Sequence, residues 1–220
     1  KKKIWSFQET THDLWNLDLA SPPILTSMKK NEKMIDIVVA PTKSGNTLIL
    51  DRLSGKPIYP YLLKKAQTSL VPGEKTSEYQ PNLQIPEPFE NIFFKKKDIR
   101  KEFKKDFLSD DYEFGWYKTP KFDKKYLRGG IAGGAQWPGA SIDHKDNIMY
   151  VTSNNIVWES KINLVSNAKN RAPVYGSSHK RLLENNLYPI NLPPWGTLNA
   201  LNLNNGKLLW KVPLGNYESF

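Results

Sequence analysis

The chain has 220 residues and no cysteine. Disulfides, thiolate metal ligands and cysteine nucleophiles are therefore excluded, while the cellular compartment stays open. Long apolar runs are missing too. The most hydrophobic stretch, IDIVVA from Ile35 to Ala40, is far too short to cross a bilayer. The residues carry no signal-peptide pattern ahead of KKKIWSFQ, and the sequence starts without methionine and stops on GNYESF, so we expect a piece of a longer protein. Acids are scarce relative to bases: 22 against 32 lysines and arginines leave a net charge of +10. Half of that excess lies between Lys95 and Arg128, with twelve basic residues against seven acids, and no RNA- or DNA-binding motif accompanies it. We read this segment as a solvated basic face, expect no nucleic-acid partner, and keep an anionic membrane surface as a contact for it.

What is present is ordinary for a globular chain: 39% hydrophobic and 25% charged residues. From Lys3 to Phe7 the pattern, IWSF, suggests a short strand. Met34 to Ala40 reads as a buried strand and Asn46 to Asp51 as another, with the turn PTKSG between them, so a hairpin is expected in which Gly45 takes a positive φ. A second turn closes at Gly55. The same shape returns as LNALNLNNGKLLWKVPLG from Leu198 to Gly215. Aligning Gly55 with Gly206 puts Leu50 over Leu201, Lys56 over Lys207 and Tyr59 over Trp210. One hairpin used repeatedly, with short strands and an aromatic marker, points to an all-β propeller; three unrelated hairpins are the plainer alternative.

Between these repeats the pattern breaks. VPGEKTSEYQPNLQIPEPFEN, rich in proline, should run extended. In KKKDIRKEFKKDFLSDD the spacing of Ile99, Phe103 and Phe107 predicts a short amphipathic helix. We treat residues 84–128 as a lysine-rich, partly helical insertion. After it, GGIAGGAQWPGASIDHKDNIMYVTSNN returns to strands, and Tyr175 to Pro194 reads as irregular.

Polar chemistry concentrates in THDLWNLDLASPP. His12, Asp13, Trp15, Asn16 and Asp18 fall within seven residues, and loops of that kind carry function more often than bulk. Taken alone, His12 reads as a structural histidine bonded to backbone, Trp15 as a packing anchor and Lys43 as an exposed hairpin lysine. Trp137, in the glycine-rich GGAQWPG, fits either a cavity wall or a wedge between neighbouring sheets. No run of oxygen ligands has calcium-loop spacing.

The motifs WSFQETTHDLWNLDLASPPIL, VAPTKSGNTLILDRLSGKPIYP, VPGEKTSEYQP, GGAQWPGASID and PPWGTLNALNLNNGKLLWKVPLG, in that order, resemble the quinoprotein dehydrogenases that depend on pyrroloquinoline quinone (PQQ), in their membrane-bound glucose dehydrogenase branch. The resemblance implies part of an eight-bladed β-propeller, about four blades at ~40 to 50 residues each. It also implies a periplasmic enzyme that oxidises a sugar or alcohol hydroxyl and passes electrons to ubiquinone or a cytochrome. Calcium is implied as a second cofactor, with ligands largely outside this chain. Lys43 matches the lysine that contacts the quinone oxygens, and Trp137 is a candidate for the cofactor cavity. Asn16 stands where the family has its catalytic aspartate, and an amide cannot take a proton. Asp18, which would share a face with Asn16 in an extended segment, is the preferred substitute base, and Asp13 the other. The competing reading of Asp18 is a turn cap, and of the whole chain a catalytically inactive propeller that binds or scaffolds.

Overall fold

In the computed structural model, residues 2–107, 109–122, 124–166, 174–185 and 187–215 are described. Strands dominate them. The first sheet is an antiparallel meander of β1 (Ile24–Lys30), β2 (Lys33–Pro41) and β3 (Thr47–Asp51). The β-branched run of β2 is buried along its second half, as a strand covered on both faces should be. A small pair, β4 (Leu63–Lys65) and β5 (Tyr79–Pro81), follows. Next come β6 (Tyr112–Glu113) and β7 (Lys125–Arg128), then β8 (Ala140–Asp143) and β9 (Ile148–Asn154). They are succeeded by a long hairpin of β10 (Trp158–Ser166) and β11 (Val174–Arg181), and by a short pair of β12 (Leu183–Glu184) and β13 (Tyr188–Pro189). The described chain closes with β14 (Gly196–Asn202) and β15 (Leu208–Pro213).

Strands β8, β9, β14 and β15 form one antiparallel four-stranded sheet, although the β10–β13 excursion separates its halves in sequence. A second four-stranded sheet has the order β11-β10-β7-β6. The largest core cluster joins the first meander to the β8-β9-β14-β15 sheet: Met28, Ile37, Val39 and Ile49 meet Met149, Val151, Leu201 and Leu203. Large apolar side chains excluded from water between two sheets are the main force holding them together.

The aligned turns are the same structure twice. The backbone N–H of Asp51 donates to the Lys56 carbonyl and that of Gly55 to the Asp51 carbonyl; Asn202, Lys207 and Gly206 repeat both bonds. Asp51 and Asn202 each accept two amides of their own turn on one side-chain oxygen. Only the cover differs. A Cβ on Gly55 would lie 2.6 Å from the ring of Trp5, and one on Gly206 2.8 Å from Ile85.

Three expectations change. Lys3 to Phe7 forms no strand; Trp5 instead lies on the Gly55 turn and donates its indole N–H to the Arg52 carbonyl. The stretch from Tyr175 is not irregular, because it lies in β11, paired with β10 from Trp158 to Ser166. Its sequence VYGSSHKR lacks apolar alternation, and most of its residues are exposed at a sheet edge, so no hydrophobic period marks it. The amphipathic helix exists as two 3₁₀ pieces, Lys96–Asp98 and Lys101–Phe107. Ile99 and Phe107 are buried with Phe94, Leu127, Val157 and Ile190, with Phe103 packed against them. Through β6 and β7 the segment 84–128 also supplies two strands of a four-stranded sheet. Its charges are partly paired, as in Lys121 with Glu113 at 2.5 Å and Arg100 with Glu184 at 2.9 Å. Among the described residues no helix is long and apolar enough to cross a membrane.

Candidate active site

The turn between β2 and β3 is held from both sides by main chain. Gly134 has φ +56° and presses against Lys43 so closely that a Cβ would lie 2.2 Å from the Lys43 carbonyl oxygen. Across the turn a Cβ on Gly45, at φ +85°, would come within 2.1 Å of the Glu90 carbonyl oxygen. Backbone bonds from Ala135 to Thr42 and from Phe89 to Gly45 complete the clamp. No side chain other than hydrogen fits at these contacts, which is why glycine stands there.

Lys43 is therefore fixed at its root and 4% exposed. Its ammonium donates to Asp18 Oδ1 at 2.6 Å, to Asn16 Oδ1 at 3.1 Å and to the Asn16 carbonyl at 3.4 Å. Three acceptors match the three N–H donors of a lysine. Asn16, Asp18 and Lys43 thus form one cluster.

The route by which Asn16 and Asp18 converge is not the alternation of an extended segment. Asn16 has φ +58° and His12 φ +49°, so the loop is coiled. Asp13 organises it: Oδ1 accepts the Trp15 amide at 2.8 Å and Oδ2 the Leu17 amide at 2.7 Å. With both oxygens engaged, Asp13 is the structural carboxylate of the loop. Trp15 is the packing anchor expected, 1% exposed, edge-on to Tyr117 at 4.9 Å and donating to the Lys118 carbonyl at 2.7 Å. His12 is exposed and makes no hydrogen bond among the described residues, contrary to the backbone bond expected of it. Trp137 is 74% exposed and lines neither of the two cavities that reach Asn16 and Asp18. Its motif enters the cluster through the backbone of Gly134 instead.

The profile of the family described as glucose/ethanol/alcohol dehydrogenase, β-propeller domain, matches residues 2–220. The chain belongs to this PQQ-dependent dehydrogenase family. It is 26% identical over 99% of its length to the quinate/shikimate dehydrogenase (quinone) of Acinetobacter baylyi, of which it covers 30%. It is 25% identical over 97% to the quinoprotein glucose dehydrogenase of Escherichia coli, again covering 30%, and 25% identical over 96% to the glycerol dehydrogenase large subunit of Gluconobacter oxydans, covering 33%. The chain thus spans about a third of the length of the curated relatives it matches. Among solved structures, the quinohemoprotein alcohol dehydrogenase of Comamonas testosteroni aligns with a TM-score of 0.55 at 17% identity, over 96% of this chain and 27% of that one. A europium-containing methanol dehydrogenase aligns at 0.52 and 18%, over 94% and 30%. Those likenesses carry the propeller fold.

Two buried charged residues packed against the His12–Asp18 loop were not singled out from the sequence. Glu9, 4% exposed, accepts from Ser44 at 2.8 Å and Thr10 at 3.1 Å, and shares a cavity of about 210 Å³ with Asp13 and Asp18. Burial pushes its pKa up to about 7, against the pull of the Ser44 and Thr10 hydrogen bonds. Arg128, at the end of β7, is 5% exposed and donates to the Trp15 carbonyl. Only tertiary packing reveals either residue; nothing in the local spacing does.

The donor set can be compared with the two groups the family implies. A buried ammonium with an amide beside it suits the oxygens of a quinone, provided that Lys43 releases one of its present acceptors. Calcium does not fit here. Among the described residues no three His, Cys, Asp or Glu side chains gather around one point. Asp18 already faces a cation, and Asp13 faces its own backbone. No chemical step is routed through a metal.

Proposed function

We propose that this chain is the portion of a PQQ-dependent dehydrogenase that carries the base and the quinone-holding lysine, in an enzyme oxidising a sugar or alcohol hydroxyl to a carbonyl. The convergence of Lys43, Asn16 and Asp18 carries the reading. PQQ, when bound, supplies the acceptor for the hydride of the substrate carbon. Lys43 holds the quinone oxygens and stabilises negative charge there. Asp18, half-exposed and hinged on a loop, takes the hydroxyl proton, and Asn16 orients the hydroxyl by hydrogen bonding.

The assembled protein is read as an eight-bladed propeller of which this chain supplies about four blades, with 84–128 as a lysine-rich insertion stitched into the sheet. An indole as exposed as Trp137 suits a face that the rest of the ring and its cofactor cover. Electrons leave to ubiquinone or a cytochrome, and the location is periplasmic, with calcium ligands on other blades. The basic segment faces a membrane surface rather than nucleic acid.

The test is reconstitution of the full-length protein with PQQ and calcium, followed by dye reduction with glucose, glycerol and quinate. Turnover that Asp18→Asn removes supports the reading; full turnover in that variant sinks it. The second reading, an inactive binding propeller, is favoured by Asn16 alone. It predicts neither quinone uptake nor turnover; uptake without turnover would instead implicate Asn16. In that case Asn16→Asp is expected to raise the rate by about tenfold or more.

A further inference from the structure

A cavity of about 430 Å³ opens beside Asn16, lined among others by Asp13, Asn16, Arg128, Ser160, Lys161 and His179. That volume is within the range of small-molecule sites. Its buried wall is cationic. Arg128 donates Nε–H to Ser160 Oγ at 3.3 Å and an Nη1–H to the Trp15 carbonyl, and its Cζ lies 6.0 Å from the centre of the Tyr126 ring. Two of five N–H donors are then used. Among the described residues Arg128 has no carboxylate within ion-pair distance, and both hydrogens of Nη2 lack a protein acceptor. A buried charge in that state is costly unless something compensates it.

The neighbours share the same preference. His179 meets Ser160 Oγ through Nδ1 at 2.9 Å and Ser177 Oγ through Nε2 at 3.2 Å. Burial and the nearby Arg128 hold its pKa below the ordinary imidazole value. Burial likewise lowers that of Arg128, against the opposing pull of Tyr126 and Asp13. Lys161 adds an exposed ammonium at the rim. Asp13 is the one acid in the lining, and its oxygens are turned to the Trp15 and Leu17 amides.

We infer that this cavity binds the carboxylate of a hydroxylated acid, with Arg128 as the charged anchor, so that the acid's hydroxyl is offered at Asn16, which lines the cavity and shares the Lys43 ammonium with Asp18. This rests on the dehydrogenase reading above for its catalytic half. The planar fork of a guanidinium matches a carboxylate by two parallel hydrogen bonds. Arg128 is then a specificity residue that divides anionic from neutral polyols.

Quinate, a polyhydroxy carboxylate, is the probe. Titrated calorimetrically into the full-length protein without an electron acceptor, it is expected to bind, to lose about thirtyfold or more in affinity with Arg128→Met, and to regain part with Arg128→Lys. In turnover, the quinate to glycerol ratio of kcat/KM should fall about as far in Arg128→Met. Three results overturn the proposal: unchanged quinate binding, inorganic phosphate bound as tightly as quinate, or equal losses on both substrates together with weakened PQQ uptake. The last would mean that Arg128 anchors the cofactor's own carboxylates. Should Arg128→Met fail to fold by circular dichroism, the exposed pair Lys161→Met and His179→Gln must together weaken quinate at least threefold, and no change refutes the site. Arg128-dependent quinate binding in a protein that oxidises nothing would leave this inference standing while removing the dehydrogenase reading.

Discussion

Lys43 and Lys211 each hold a carboxylate, but in one pair the cation is buried and in the other the acid. The Lys43 side chain is 5% exposed and its partner Asp18 54%, whereas Lys211 is 31% exposed and Glu90 5%. Glu90 is fixed further by Ser153 at 2.9 Å and by the Asn91 amide at 2.9 Å. Lys43 is fixed by the glycine contacts at its root. A pair whose acid lies outside can open toward a ligand while the positive charge stays in place. A pair whose acid lies inside can only act as a strut, because opening it strands a carboxylate in the interior.

The sharpest way to break this comparison is to remove both cations. Lys43→Met should cost about a thousandfold in kcat/KM of the reconstituted full-length enzyme, with little change in its unfolding midpoint. Lys211→Met should instead cost about 1–3 kcal/mol of stability in chemical denaturation, discounted for its partial exposure, and leave quinone uptake near normal. Exchanged outcomes would erase the distinction. Next in size, Asp18→Asn should lower kcat by about a hundredfold through loss of the proposed base, and should cost about 1–3 kcal/mol of stability because the buried Lys43 ammonium is left without a counter-charge.

Glu9 sharpens the comparison further, being a buried carboxylate with no cation. Its folded pKa, about 7, lies above the ordinary 4.5. The folded state therefore binds the proton more tightly than the unfolded chain. The stabilisation is complete below about 4.5 and is lost as pH rises to about 7, for a total of roughly 3 kcal/mol. Unfolding measured from pH 4.5 to 7.5 should show this slope, and Glu9→Gln should flatten it; an unchanged slope would assign it to another group. The smallest of these effects is Gly134→Ala. It should cost about 2 kcal/mol, since alanine must adopt φ +56° against the Lys43 carbonyl, and should weaken quinone uptake by moving the ammonium.

The hairpin around PTKSG and the repeat at Gly55 and Gly206 were legible because turn chemistry and short apolar strands are local signals. Lys43 was legible through family resemblance and Asp18 only as a substitute base on strand alternation, whereas their meeting follows from a coiled loop. Asp13, weighed as a base, proves to be the loop's organiser, a role set by which amides happen to lie within reach. β11 left no trace in the pattern because an exposed edge strand buries too little to need one. Glu9 and Arg128 were illegible for the opposite reason: each owes its character to burial by segments far away in sequence. Trp5 loses its expected strand and covers the Gly55 turn instead.

The clamp on the β2–β3 turn has a consequence for how such a protein can diversify. Peptide groups alone fix the backbone from which the Lys43 side chain springs, at contacts where no rotamer intervenes. Side chains around the turn can therefore be exchanged one by one without shifting that anchor point, which is the freedom a lineage needs to reshape a pocket while keeping one charge at a constant place in it.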